Sequence, residues 1–140
     1  MALWNVDLTT EDGALGAAQM GGFACFVAAV LSLIGVAALF IMGTVGGLST
    51  LVLAGAAVAI AEVVVFAIAG LRLRAGKGEI WGYAAAIALV IELLAKIASV
   101  SIIGIMIDII LLIALGNGIR GARALRRLEM KADDVAAVFK

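Results

Sequence analysis

Three ionisable residues, Glu92, Lys96 and Asp108, stand inside the apolar run "IELLAKIASVSIIGIMIDIILLIA" of residues 91–114. A charge at mid-bilayer costs at least ~2.5 to 3.5 kcal/mol on insertion scales, so such side chains usually face other helices or a watery cavity. Glu62 stands in an earlier apolar run. Because three acids face one lysine, at least one acid should be protonated or open to water. Polar pairing between helices, or a subunit contact, is the first interpretation, and ion or proton handling is the alternative.

The spacing of the charged residues predicts one cluster. Glu92 and Lys96 are four residues apart, which places them on one face of a helix. If the chain turns at Val100, Asp108 comes level with Glu92 on the next helix, and Gly104 leaves room for the lysine side chain to cross. Counting along the helices places all three acids, Glu62 included, ~15 to 20 Å from the charged helix ends. We therefore expect a carboxylate layer near mid-membrane.

Other chemistry finds little support in the sequence. Histidine is absent and Cys25 is the only cysteine, so the commonest metal ligand and an intramolecular disulfide are missing. Neither a Walker loop nor a dinucleotide-binding loop occurs. The sequence thus predicts a protein that is not an enzyme, with no catalytic residues, no metal and no cofactor. A formal net charge of zero, without an aromatic-basic platform, argues against nucleic-acid binding.

The composition identifies the elements that must position these residues. Hydrophobic residues make up 66% of the chain and charged residues 14%, and the mean hydropathy is +1.27. A soluble domain keeps about a quarter of its residues charged, and apolar helices of ~20 residues match the ~30 Å hydrocarbon core. We predict an all-α polytopic membrane protein with four transmembrane helices, at about 20–42, 50–71, 80–98 and 101–119. The third and fourth helices should form a tight hairpin that turns at Ser99-Val100-Ser101, with Gly104 as the alternative turn.

The basic residues predict the orientation. Apart from Lys96 they lie in two places, after the second span and after the fourth: Arg72, Arg74, Lys77, Arg120, Arg123, Arg126, Arg127, Lys131 and Lys140. The positive-inside rule then assigns both places, and so both termini, to the cytoplasm. Residues 1–19 form an N-terminal cytoplasmic segment. Because that segment lacks basic residues, it is not a cleavable signal sequence, and the first span should remain as an anchor.

Small residues four apart predict close helix contacts, since they let helix backbones approach each other in lipid. The pairs are Ala28-Ser32, Gly55-Ala59, Ala57-Ala61 and Ala84-Ala88.

Residues 120–140 predict a short, basic, amphipathic cytoplasmic tail. Its apolar residues approximate one helical stripe with the basic residues off it, so the helix can lie at the membrane surface. The residues expected to contact lipid headgroups are Arg120, Arg123, Arg126 and Arg127. A plain topogenic tail is the other interpretation.

The end of the fourth span, "NGIRGARALRR", resembles the last helix of small uncharacterised bacterial inner-membrane proteins with four helices, in which Asn-Gly-x-Arg-Gly often closes the final span. The resemblance implies a bacterial origin and adds no mechanism. The first hypothesis of function is an accessory or scaffolding subunit of the bacterial inner (plasma) membrane, which packs against itself or a larger complex. The alternative is a small homo-oligomeric transporter or channel for protons or cations, whose path passes the carboxylate layer.

Overall fold

The chain folds into four helices joined by short connections, in a computed structural model that describes residues 7–46 and 49–138. The helices are α1 Glu11–Gly46, α2 Thr50–Arg74, α3 Glu79–Ala98 and α4 Ile102–Val138. All four are long and apolar enough to cross a membrane, which confirms the predicted all-α class and the number of helices. Residues 1–6 of the predicted N-terminal segment, residues 47–48 of the first connection, and Lys140 of the tail lie outside the described residues.

The helices stand in a ring. α1 packs along α2 and α4, and α3 packs along α4 and α2, so that α2 and α4 face each other across the diagonal and barely touch. The large side chains of the core, which are completely or almost completely buried, are Phe66, Leu73, Leu89 and Leu115. On α1 the core is built mainly of alanines, since this helix lies closest to its neighbours.

Glycines set the spacing between α1 and its two neighbours. A Cβ added to Gly21 would lie 2.5 Å from the Cα of Gly118 on α4. A Cβ added to Gly22 would lie 2.8 Å from the carbonyl oxygen of Gly70 on α2. Such contacts leave no room for a methyl group, so the helix backbones themselves touch. α1 runs antiparallel to both neighbours, because its contacts occur in reversed order along them. On α4, Gly118 meets Gly21 and the later Gly121 meets the earlier Ala14, and on α2, Gly70 meets Gly22 and the earlier Gly55 lies near the later Leu39.

Only some of the predicted small-residue pairs contribute to the contacts between helices. Ala28 and Ser32 are buried on α1, and the pairs Gly55-Ala59 and Ala84-Ala88 are half-buried. Ala57 and Ala61 are exposed, so the predicted contact at this pair is wrong within the bundle. Because α2 is apolar on every side, spacing alone does not indicate which of its faces turns inward.

Two helix boundaries differ from the sequence prediction by nine residues or more, the start of α1 and the end of α4. α1 begins at Glu11 instead of near residue 20, because Thr10 caps it: the Thr10 hydroxyl and carbonyl accept hydrogen bonds from the backbone N–H groups of Gly13 (3.2 Å) and Ala14 (3.0 Å). The added turns pack against the basic part of α4, where a Cβ on Gly121 would lie 2.5 Å from the Ala14 carbonyl oxygen. α4 continues unbroken to Val138, so the tail is the end of the fourth helix and not a separate element.

The turn between α3 and α4 lies at Ser99-Val100-Ser101, where the sequence indicated it. The N–H of Ser101 donates to the Lys96 carbonyl at 3.0 Å, and the N–H of Val100 donates to the Ile97 carbonyl at 3.1 Å. These two bonds form a Schellman motif, whose C′ residue adopts the left-handed conformation. Here that residue is Val100, with φ of 55°. The turn after α2 uses the same motif with Gly76, whose φ is 71°, in the equivalent place.

The two hairpins have different lengths. Beyond Gly82, which packs against Leu73, α3 continues for only ~24 Å to its end at Ala98. Beyond Gly22, which packs against the same end of α2, α1 continues for ~36 Å to Gly46. The α1–α2 hairpin therefore extends ~12 Å, about two turns, past the α3–α4 hairpin at the end opposite the basic residues.

Candidate functional site

Lys96 holds two carboxylates at once. Its Nζ lies 2.7 Å from Oε1 of Glu92, one turn earlier on α3, and 2.7 Å from Oδ1 of Asp108 on α4. Charge-assisted hydrogen bonds of this length are among the strongest that side chains make. One ammonium group thus binds an acid on its own helix and an acid on the neighbouring helix, and so connects α3 to α4.

The path of the lysine side chain crosses Gly104. A Cβ at position 104 would lie 2.9 Å from Cδ and 3.3 Å from Cε of Lys96. The aliphatic part of the Lys96 side chain therefore occupies the space that a side chain at position 104 would fill. The tight turn at 99–101 brings the two helices into this register.

Asp108 is the most buried member of the cluster. Its side chain is 1% exposed, whereas those of Lys96 and Glu92 are 25% and 23% exposed. Its Oδ1 accepts the bond from Lys96, but its Oδ2 is buried and has no hydrogen-bond partner among the described residues. A buried polar atom of this kind is costly unless a proton, a water molecule or an ion satisfies it.

Glu62 approaches the cluster from α2. Its side chain is half-buried, and it interacts electrostatically with the charges of Glu92, Lys96 and Asp108. Within the described part of the chain it makes no hydrogen bond or ion pair. The structure thus brings all four predicted residues to one region, with three in direct contact and Glu62 beside them.

Ser32 extends this polar layer to α1, and the sequence analysis did not single it out as a site residue. Its hydroxyl is buried and, like Oδ2 of Asp108, lacks a hydrogen-bond partner among the described residues. Ser32 lies ~16 Å beyond Gly21 along α1, and Asp108 lies ~15 Å beyond Gly118 along α4, so the two are at nearly the same level. A serine inside an apolar helix was the only signal, and that signal is ambiguous because the hydroxyl can bond to the carbonyl four residues back.

The layer lies off the centre of the α3–α4 hairpin. Glu92 is ~9 Å from the end of α3 at Ala98, and Asp108 is ~9 Å from the start of α4 at Ile102. The distance from Glu92 back to Glu79 is ~20 Å, as counted from the sequence. Because α3 is only 20 residues long, the cluster is nearer to the turn than to the basic end.

A second charged cluster joins α3 to α4 at the basic end. Arg123 donates from Nε to Oε1 of Glu79 at 2.8 Å, and it also donates to the hydroxyl of Tyr83, whose ring centroid lies 5.9 Å from the guanidinium carbon. Arg126 lies 4.0 Å from the same glutamate. Of the residues expected to contact headgroups, Arg123 and Arg126 thus face Glu79. Arg120 and Arg127 are exposed and have no ion-pair partner among the described residues.

The polar layer offers carboxylate oxygens, one ammonium and one hydroxyl. Within residues 7–46 and 49–138, no group of three or more histidine, cysteine or acidic residues is placed to hold a metal ion. Cys25 is buried and makes no disulfide. The atoms of the polar layer can exchange protons, bind a monovalent ion, or hold helices together.

The "NGIRGARALRR" stretch forms part of α4 and carries the basic cluster. Its resemblance to bacterial four-helix proteins stays an expectation. Comparison of the chain with protein-family models, with curated proteins and with solved structures finds no match.

Proposed function

We propose that the protein is a small accessory or scaffolding subunit of the bacterial inner (plasma) membrane, which packs against itself or a larger complex. The observation that carries the proposal is the double pairing of Lys96 with Glu92 and Asp108, both at 2.7 Å. The lysine neutralises charge on both helices and fixes their register. That is the behaviour of a helix-packing device, because buried polar pairs in membranes stabilise helix association.

An exposed face of small residues on α2 supports association with another chain. Ala54, Ala57 and Ala61 are exposed and follow one another at intervals of three and four residues, which places them on one side of the helix. In lipid, such a face allows a second helix to approach closely. Because all three side chains are exposed in the bundle, this face is open to a second chain.

The distribution of basic residues supports a cytoplasmic location for both termini. Arg72 in the last turn of α2 and Lys77 of the second connection line one cavity together with Arg126 of α4. Basic residues that are distant in the sequence therefore gather at one end of the bundle. Under the positive-inside rule this end faces the cytoplasm.

Disulfide cross-linking in native membranes tests the association. In a Cys25→Ala background, Ala57→Cys should give a cross-linked dimer or a cross-link to a partner subunit. The matched control is Ile103→Cys, which is 77% exposed on α4 at a similar depth. It should remain monomeric. Equal cross-linking at both positions, or none at either, would contradict association through this face of α2.

A second candidate is a homo-oligomeric transporter or channel that moves protons or cations. One observation favours it: Oδ2 of Asp108 and the hydroxyl of Ser32 are both buried at one level of the bundle, and neither has a hydrogen-bond partner among the described residues. A packing device would normally satisfy every buried polar atom. A site that binds and releases a proton needs an acid with an oxygen to spare, and Asp108 has one.

A further inference from the structure

A groove of about 490 Å³ lies between the start of α1 and the basic part of α4. Leu8 and Thr9 form one wall. The other wall carries four basic residues, Arg120, Arg123, Arg127 and Lys131. Their spacing of three, four and four residues places them on one side of α4, over ~16 Å of helix.

The charge on this groove is largely uncompensated. No acid lines it, and Arg120, Arg127 and Lys131 have no ion-pair partner among the described residues. Only Arg123 is shared with an acid, Glu79 on α3. An anion that entered the groove would therefore meet three cations that have no ion-pair partner in the described part of the chain.

The charges that line the neighbouring cavity are different, because acids lie among its cations. It measures about 370 Å³, and Glu79 and Glu129 line it beside the cations Arg72, Lys77 and Arg126. Its charges are partly balanced from within. An anion is thus favoured at the first groove over the second.

An acidic residue directly precedes the lining residues Leu8 and Thr9 in the chain. This residue, Asp7, is held by Thr9. The hydroxyl of Thr9 donates to Oδ1 of Asp7 at 2.6 Å, and the backbone N–H of Thr9 donates to the same oxygen at 2.9 Å. These hydrogen bonds hold the pKa of Asp7 below its ordinary value. The carboxylate is turned towards its own segment, and within residues 7–46 and 49–138 it makes no ion pair with the cations of α4.

The groove lies where the bundle leaves its apolar section. Arg120 is the first charged residue of α4 after Asp108, and it lies two residues beyond Gly118, which packs against Gly21. Three apolar residues, Leu8, Ala124 and Leu128, line the groove among the charges. A ligand there meets cations and hydrocarbon together, which is the environment of a lipid headgroup and its glycerol.

We propose that this groove binds the phosphate headgroup of an anionic phospholipid. Arg120 and Arg127 donate to the phosphate oxygens, for which the planar guanidinium is well suited. Lys131 adds a third positive charge farther from the apolar section. Leu8 and Leu128 contact the glycerol and the first carbons of the acyl chains. The proposal is independent of whether the protein is a scaffold or a transporter.

Native mass spectrometry of the full chain in detergent tests the proposal, with short-chain phosphatidylglycerol as the probe. We expect phosphatidylglycerol to bind at least ~10-fold more tightly than phosphatidylcholine of the same chain length. The double variant Arg127→Gln/Lys131→Gln should raise the dissociation constant ~30-fold at low salt, or ~5-fold for each cation removed. Neither residue has an ion-pair partner among the described residues, so the variant should keep its fold.

The matched control is Arg72→Gln/Lys77→Gln, which removes the same charge from the other cavity. It should change the dissociation constant by less than ~3-fold, because neither residue lines the first groove and a charge acts more weakly at a greater distance. Equal weakening by both double variants would overturn the proposal, because it would show unspecific attraction to basic charge. Equal binding of phosphatidylcholine would also overturn it. Inorganic phosphate that displaces the lipid at equal concentration would assign the groove to a soluble phosphate ligand instead.

Discussion

Gly104 and Lys96 are complementary across the α3–α4 hairpin: the methyl group that Gly104 lacks would stand 2.9 Å from Cδ of the lysine. The ion pair with Asp108 therefore depends on an empty volume as much as on opposite charges. A side chain at position 104 would occupy the space of the Lys96 side chain, and the lysine could then not bond to Asp108 on α4.

Gly104→Ala should thus destabilise the protein. The overlap should cost about 1–3 kcal/mol, and the better helix propensity of alanine should offset about 0.5–1 kcal/mol of that. Reversible unfolding in detergent measures the difference. The control is Gly116→Ala on the same helix, where an added Cβ meets no atom within 4 Å. If both variants are equally stable, the packing of the lysine against Gly104 is unimportant.

Lys96→Met should destabilise the protein more than Asp108→Asn. Removing the lysine strands a carboxylate that is 99% buried, at a cost of up to about 3 kcal/mol, given the partial exposure of Lys96. Asparagine at position 108 still accepts a hydrogen bond and carries no charge. The double variant Lys96→Met/Asp108→Asn should recover part of the loss. The opposite ranking would show that the charge of Asp108 itself is required for the fold.

Purified protein in sealed vesicles should show no proton or cation flux above empty vesicles between about pH 5 and 8, if the layer only packs helices. The matched variants are Glu62→Gln, Glu92→Gln and Asp108→Asn, in which an amide replaces an acid and can no longer release a proton. If the wild-type protein shows flux and a folded Asp108→Asn variant does not, the transporter would replace the scaffold as the proposed function. Flux that all three variants leave unchanged would show that the acids take no part in it.

Val100→Gly should stabilise the protein by about 1 kcal/mol. Val100 adopts φ of 55°, a left-handed conformation that costs an ordinary residue ~1–2 kcal/mol and costs glycine little. The converse variant, Gly76→Val, should destabilise by at least a similar amount, since its Cβ would also lie 2.9 Å from Cδ1 of Leu125. Thermal unfolding of both variants measures their stability changes relative to the wild-type protein. A neutral or destabilising Val100→Gly would mean that the valine side chain makes an offsetting contact.

Reporter fusions should place the basic end of the bundle in the cytoplasm. Fusions after Lys77 and at the C-terminus should both report cytoplasm, and a fusion at Gly46 should report the outside, because the basic residues determine the orientation. An external C-terminus would contradict the proposed topology and the assignment of the lipid groove to the cytoplasmic face.

The sequence was most informative where interactions are local. The four-residue spacing of Glu92 and Lys96 and a turn near Val100 sufficed to place Asp108 opposite the lysine. In contrast, the contacts Gly21–Gly118 and Gly22–Gly70 join residues far apart in the chain, and uniformly apolar helices carry no pattern that selects such partners. For the same reason the exposed position of Ala57 could not be predicted.

The start of α1 was missed for a different physical reason. Hydropathy locates the apolar part of a helix, but Thr10 begins α1 by capping its backbone N–H groups. The continuation of α4 through the basic tail escaped prediction likewise, because charge marks where a helix leaves lipid and not where it ends.

The unequal hairpins require different bilayer thicknesses. α3, at ~30 Å, matches a typical hydrocarbon core, but the farther end of the longer hairpin still carries exposed apolar side chains, among them Phe40, Ile41 and Leu53. This is a hydrophobic mismatch within one molecule. In a bilayer, the lipid would have to thicken on the side of the long hairpin, or the whole bundle would have to tilt, at a cost of fractions of a kcal/mol for each Å of mismatch. The protein should therefore distort the membrane unevenly around its circumference and concentrate in membranes whose thickness reduces that distortion.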